Sequence, residues 1–141
     1  MKKLHLPFSL FISLLLFTAC PKQGTQDPVF DLGKPFSIAQ GQTMQTTDHA
    51  LSIHFDKVSA DSRCPQGVQC IWAGRADAVF TLKKGATSQT ITLASGDFSQ
   101  GGTGQATFSG YTITLNDIAP PKNATGEIAQ KDYVATITVT Q

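Results

Sequence analysis

The chain has 141 residues, 40% of them hydrophobic and 15% charged, with a formal net charge of +1. That length is the size of one domain, and the hydrophobic share is enough for one modest core. Scattered Lys and Arg on a near-neutral chain give no field that would attract nucleic acid, and the composition argues against a disordered chain or a multi-span membrane protein.

The chain opens M-K-K-L-H-L-P-F-S-L-F-I-S-L-L-L-F-T-A-C. Lys2 and Lys3 form a short basic region, and residues 8–17 form an apolar stretch of ten. A helix needs about 20 residues to cross a bilayer core, so this stretch is too short for a permanent span. It has the length of the apolar region of a secretory signal peptide. The small residues Thr18 and Ala19 follow it, and then Cys20.

Residues 16–20 resemble the lipobox of bacterial lipoproteins, with Phe17 where Leu is commoner. The resemblance implies that residues 1–19 are a lipoprotein signal peptide and that Cys20 is lipidated and becomes the first residue. It implies an exported protein anchored to the lipid bilayer of the bacterial cell envelope, with the outer membrane, facing the periplasm, as the expected site. Each buried methylene contributes about 0.8 kcal/mol, so several acyl chains make a stable anchor. Residues 20–34 are polar and contain two prolines and two glycines, as a flexible tether would.

From residue 35 onward the dominant period is two. Leu51, Ile53 and Phe55 alternate with polar residues, as do Ala76, Ala78, Phe80 and Leu82, then Ile91 and Leu93, then Tyr111, Ile113 and Leu115, and finally Tyr133, Ala135, Ile137 and Val139. Such alternation marks strands with one buried face. Two weaker candidates lie near residues 36–39 and 42–46. Gly and Pro punctuate the gaps: Lys84-Gly85 suits a hairpin, residues 95–104 are a Gly-rich loop, and Pro120-Pro121 stops a strand. One helical turn is allowed around residues 124–130. The expectation for residues 35–141 is an all-β domain, a single antiparallel β-sandwich or small barrel of about six to seven strands.

One segment departs from this pattern. Residues 59–74 read S-A-D-S-R-C-P-Q-G-V-Q-C-I-W-A-G and hold the only Trp of the chain. With Cys20 lipidated, only Cys64 and Cys70 remain, and in an exported chain they read as one disulfide. Loop-closure entropy for so small a ring contributes roughly 2 kcal/mol. Pro65 and Gly67 supply the turn, Asp61 and Ser62 can bond nearby amides, and Gly74 permits a positive φ. An extended segment places Trp72 on the face of Cys70, where it can pack on the disulfide or cover the edge of the core. Asp61-Ser62-Arg63-Cys64-Pro65, Val68, Cys70, Trp72 and Gly74 together resemble a signature of small bacterial lipoproteins and exported proteins, D-S-R-C-P then C-x-W-x-G. The resemblance spans most of residues 50–141 and implies a β-rich envelope domain without implying an activity.

Arg63 and Trp72 are the candidate partner-binding residues, because both types are enriched at binding hot spots. A disulfide corner in which Arg63 pairs with a carboxylate is the competing reading. No nucleophile motif or phosphate loop is present, so no catalytic residue, no metal and no cofactor is assigned, and the chain is not expected to be an enzyme. The expected function is that of a membrane-anchored envelope lipoprotein whose β domain binds a protein or a glycan or has a structural role. The alternative is a metal-binding or hydrolytic envelope protein using His54, Asp56 and His49; His54 and Asp56 share one strand face by parity. The anchor is directly testable. Cys20→Ser is expected to lose metabolic acyl labelling and to leave the detergent phase, and a variant that partitions like wild type refutes the anchor.

Overall fold

A computed structural model describes residues 26–99, 101–124 and 127–141. Residues 1–19, expected to be a signal peptide, and Cys20 lie outside the described residues. Among those described, nine strands form two sheets: β1 (Val29–Phe30), β2 (Pro35–Ala39), β3 (Thr43–Thr46), β4 (Ser52–Asp61), β5 (Arg75–Lys84), β6 (Thr87–Gly96), β7 (Gln105–Phe108), β8 (Tyr111–Ala119) and β9 (Val134–Thr140). The five-stranded sheet has the order β1-β3-β4-β5-β6 and the four-stranded sheet β2-β9-β8-β7. The sheets do not close into a barrel, so the architecture is a β-sandwich. Every pairing is antiparallel except the short one between β1 and β3.

The alternating residues supply the core. Ile53, Phe55, Ala78, Phe80, Leu82, Leu93, Ile113, Ile137 and Val139 are all fully buried between the sheets. Phe55 stands opposite Phe80 in the β4–β5 register, and their rings stack at 4.9 Å. The register shifts three times, between Phe55 and Lys57, between Val58 and Ala60, and between Leu115 and Asp117. Each shift is a bulge, which adds one residue and turns the following side chains over. Val58 and Ile118 therefore point inward, three residues after Phe55 and Leu115.

The strand count exceeds the expected six to seven. Both weaker candidates form, as β2 and β3, and β1 and β7 are additional. β1 also moves the start of the folded domain into the stretch read as a tether. Phe30 is buried and stacks on Phe36 at 4.1 Å, which fastens the edge of one sheet to the edge of the other. Two residues are too few to show a period, so composition alone made this stretch look like a linker. The turn after β5 is a two-residue hairpin with Gly85 at φ +58°, a conformation that favours Gly. Among the described residues the one helical turn is a 3₁₀ turn at Gln130–Asp132, at the end of the expected 124–130 stretch and beyond it.

Further bonds join the sheets at their margins. The Ala94 amide donates to the Thr103 carbonyl and the Leu115 amide to the Gly104 carbonyl, so Thr103 and Gly104 strap β6 to β8. On the opposite side the Gln40 amide donates to Tyr133 and the Gly41 amide to Phe55. Truncating the centre of the core is therefore expected to be severe. Phe80→Ala should destabilise the domain by about 3–5 kcal/mol, read as a lower urea midpoint at unchanged slope.

Candidate functional site

The site lies where β4 ends and β5 begins. The β4–β5 ladder runs past both strands into the connecting loop: the Ser62 amide donates to the Arg75 carbonyl and the Cys64 amide to the Ala73 carbonyl, each at 2.8 Å. Cys64 and Cys70 are joined with their Cα atoms 6.0 Å apart. Within the ring the Val68 amide donates to the Pro65 carbonyl, and Gly67 adopts φ +76°. That is the turn expected from Pro65 and Gly67. The Gln66 amide donates to the Lys122 carbonyl at 2.8 Å and fastens the loop to the segment after β8.

Gly74 is fixed by contact as well as by φ. It adopts φ +68°, and a Cβ there would lie 1.9 Å from the Ser62 carbonyl oxygen. A Cβ on Gly96 would in turn lie 2.6 Å from the Gly74 carbonyl oxygen. Three backbone segments thus meet without room for side chains, and the Asp97 amide bonds the Gly74 carbonyl at 3.0 Å.

Beneath this loop Asp61 and Arg63 form a latch. The Arg63 side chain donates from Nε to Asp61 Oδ1 at 2.9 Å and from Nη2 to Oδ2 at 2.7 Å. Its Nη1 donates to the Ile118 carbonyl and its Nη2 also to the Pro120 carbonyl, 3.0 Å away. The Arg63 amide and the Tyr133 hydroxyl both donate to the Asp61 carboxylate at 3.1 Å. Lys122 Nζ donates to the Asp61 carbonyl at 2.8 Å. The two side chains are only 14% and 9% exposed. Beside them the Gln130 carboxamide bonds both the amide and the carbonyl of Val58, which lies beyond the residues of β4 that pair with β3.

The electrostatics follow from these contacts. Burial disfavours the Asp61 carboxylate, but the Arg63 side chain, amide and charge, with the Tyr133 hydroxyl, outweigh it and hold its pKa below the usual carboxylate value. The bond to Asp61 holds Arg63 more firmly protonated, against a smaller opposing effect of burial. Burial, and then the bond to Asp61, push the Tyr133 hydroxyl up.

The structure separates the two binding candidates. Arg63 is not displayed: its guanidinium is committed to Asp61 and to two carbonyls of the opposite sheet, the corner-forming role. Trp72 is 63% exposed rather than closed over the core, and residues 62–74 form no strand. It forms one wall of a cleft of about 490 Å³, lined also by Ala60, Arg75, Asp77, Asp97 and Ser99. Arg75 Nε lies 3.0 Å from Asp77 Oδ1, and its Nη1 donates to the Gly101 carbonyl. The Ser99 amide, then the Ser99 side chain, and more weakly the Arg75 charge, lower the pKa of Asp97. Asp77 and Asp97 lie far from Trp72 in sequence, and no motif links them to it.

His54 and Asp56 do face each other, with Nε2 and Oδ1 3.9 Å apart, and Thr43 Oγ1 lies 2.9 Å from His54 Nδ1. Thr81 donates to the other Asp56 oxygen at 2.9 Å. His49 lies elsewhere, in the β3–β4 turn against Gln45 and Gln26. No group of three or more His, Cys, Asp or Glu among the described residues is placed to hold a metal ion. No family model matches the chain, and no curated protein or solved structure matches it either.

The latch makes a pH-dependent contribution. A carboxylate whose pKa is lowered in the folded state stabilises the fold above its unfolded pKa of about 4, and the contribution is lost as pH falls through the folded value. Arg63→Ala is expected to cost about 3 kcal/mol by leaving the Asp61 charge unpaired, and Asp61→Asn should also destabilise at pH 7. Urea melts at pH 7 and pH 3 check this: the gap between wild type and Asp61→Asn should narrow at pH 3.

Proposed function

We propose that the chain is an exported lipoprotein anchored at Cys20, facing the periplasm from the outer membrane, and that its β domain is a non-enzymatic recognition module for a protein or glycan partner. The observation that carries this reading is the exposure of Trp72 on a loop held rigid by the Cys64–Cys70 disulfide, beside a cleft. A large aromatic side chain on the surface forgoes a core position that small β domains ordinarily give it, and Trp is the residue most enriched at binding hot spots. The leader and the lipobox-like residues 16–20 support the envelope location.

The metal-binding or hydrolytic alternative rests on His54, Asp56 and His49, of which His49 stands apart in the β3–β4 turn while His54 and Asp56 meet beside Thr43. That group lies on the open outer face of the five-stranded sheet, with the His54 and Asp56 side chains about one-third exposed, at 36% and 33%. Catalysis by such groups depends on preorganised donors and excluded water, which an open face does not supply. The recognition reading is therefore favoured.

Photocrosslinking in intact envelopes tests it. A photoreactive residue at position 71 should give a discrete adduct that Trp72→Ala abolishes and His54→Ala leaves intact. An adduct that survives Trp72→Ala, or no adduct at all, overturns the reading.

A further inference from the structure

We propose that the Trp72 cleft receives an extended segment of a partner protein that carries a Lys or Arg beside an apolar side chain, and that it does so on the end of the domain remote from the anchoring bilayer. This deepens the recognition reading above and rests on it.

Apolar exposure is concentrated at this end. Among the described residues six large hydrophobic side chains are exposed, and four of them, Val68, Ile71, Trp72 and Phe98, lie on the disulfide loop or on the loop after β6. Ile71 is 93% exposed. Clustered exposure of this kind marks a protein-binding surface, whereas single exposed residues are ordinary. The cleft of about 490 Å³ falls within the usual range for a bound side chain or small ligand.

Charge selects what enters. The cleft holds the guanidinium of Arg75 against the carboxylates of Asp77 and Asp97. Arg75 is already bonded to Asp77 and to the Gly101 carbonyl. The local balance is one positive charge to two negative, so a cation is the complementary occupant. The face of an indole also attracts a Lys ammonium or an Arg guanidinium. A glycan fits less well. Sugar hydroxyls need polar groups free to bond them, yet the Arg75 guanidinium and one Asp97 oxygen are already engaged.

The direction comes from where the described chain begins. Gln26 Nε2 lies 3.4 Å from His49 in the β3–β4 turn, so the chain reaches the sandwich at the end where β4 starts. The Trp72 loop follows the other end of β4, ten residues on, which spans about 33 Å. Between Cys20 and Gln26 there are six residue steps, reaching at most about 20 Å. An anchor at Cys20 therefore holds the near end to the bilayer and presents the cleft outward.

Two experiments on the detergent-solubilised or reconstituted full-length protein test this. Random peptides displayed on phage are selected against it, binding of the enriched peptides is followed by the anisotropy of a fluorophore carried on the peptide, and sugar binding by the fluorescence of Trp72, the only tryptophan of the chain. The expected result is a consensus pairing Lys or Arg with an apolar residue. Affinity should fall at least tenfold in Trp72→Ala and several-fold in Asp97→Asn, a change that keeps the acceptor for the Ser99 amide and removes the charge. No enriched peptide, an acidic consensus, or binding indifferent to Trp72→Ala overturns the proposal. A fluorescence shift with N-acetylglucosamine trisaccharide but not with peptides overturns it in favour of a glycan. In liposomes of phosphatidylethanolamine and phosphatidylglycerol, lipids with brominated acyl chains should leave Trp72 unquenched, and quenching refutes the outward orientation. A Trp72-dependent crosslink in envelopes without peptide selection leaves the recognition reading standing and removes this one. Loss of the crosslink removes both.

Discussion

The carboxylate of Asp61 is the point on which this end of the molecule depends. It stands at the last residue of β4, in one sheet, and receives the hydroxyl of Tyr133, which immediately precedes β9, in the other. Arg63, two residues on, carries the connection to the carbonyls of Ile118 and Pro120 around the end of β8. A sandwich is held along its middle by apolar contact that has no direction. At its ends, where strands diverge and backbone groups lose ladder partners, charged hydrogen bonds fix the geometry. The latch is nearly buried, and each charge answers the other, so neither sheet can shift at this end without leaving a charge unpaired.

The disulfide loop is built on that foundation. The ladder of β4 and β5 continues through Ser62 and Cys64, the latch lies below it, and the close approach of Gly74 to Ser62 and of Gly96 to Gly74 leaves no slack between the segments. The loop is thus held by covalent, backbone and ionic constraints together. A flexible loop bearing Ile71 and Trp72 could fold them back onto apolar surface; this one keeps them in solvent. Rigidity of that kind lowers the ordering cost of binding, which links the stability of the corner to the recognition proposed for it.

The outer face of the five-stranded sheet shows how chemistry-bearing residues can meet without forming a site. Thr43, His54, Asp56 and Thr81 join through hydrogen bonds and a 3.9 Å approach of His54 to Asp56 because the antiparallel register places Thr43 opposite His54 and His54 opposite Thr81. Their side chains stay about one-third exposed, His54 at 36% and Asp56 at 33%. Cross-strand pairs of this kind ordinarily stabilise a sheet face.

The sequence by itself determined the all-β class and most of the inward faces, whereas the choice of an open sandwich over a closed barrel was made by how the strands pair in two separate sheets. Strand periodicity is a local property: one buried face demands an apolar residue at every second position. It also carried the phase changes, in the three-residue spacing from Phe55 to Val58 and from Leu115 to Ile118, although a period of two does not reveal them. The turn at Pro65 and Gly67 and the ring between Cys64 and Cys70 were legible for the same local reason. β1 was not, because two residues show no period and Phe30 is recognised as core only once Phe36 is beside it. The roles of Arg63 and Trp72 were decided by tertiary structure alone. Asp61 meets Tyr133 across 72 positions, and Trp72 shares a cleft with Asp97 only because the loop after β6 returns to Gly74. Local pattern records what each residue needs; which distant partner supplies it is set by how the two sheets pack.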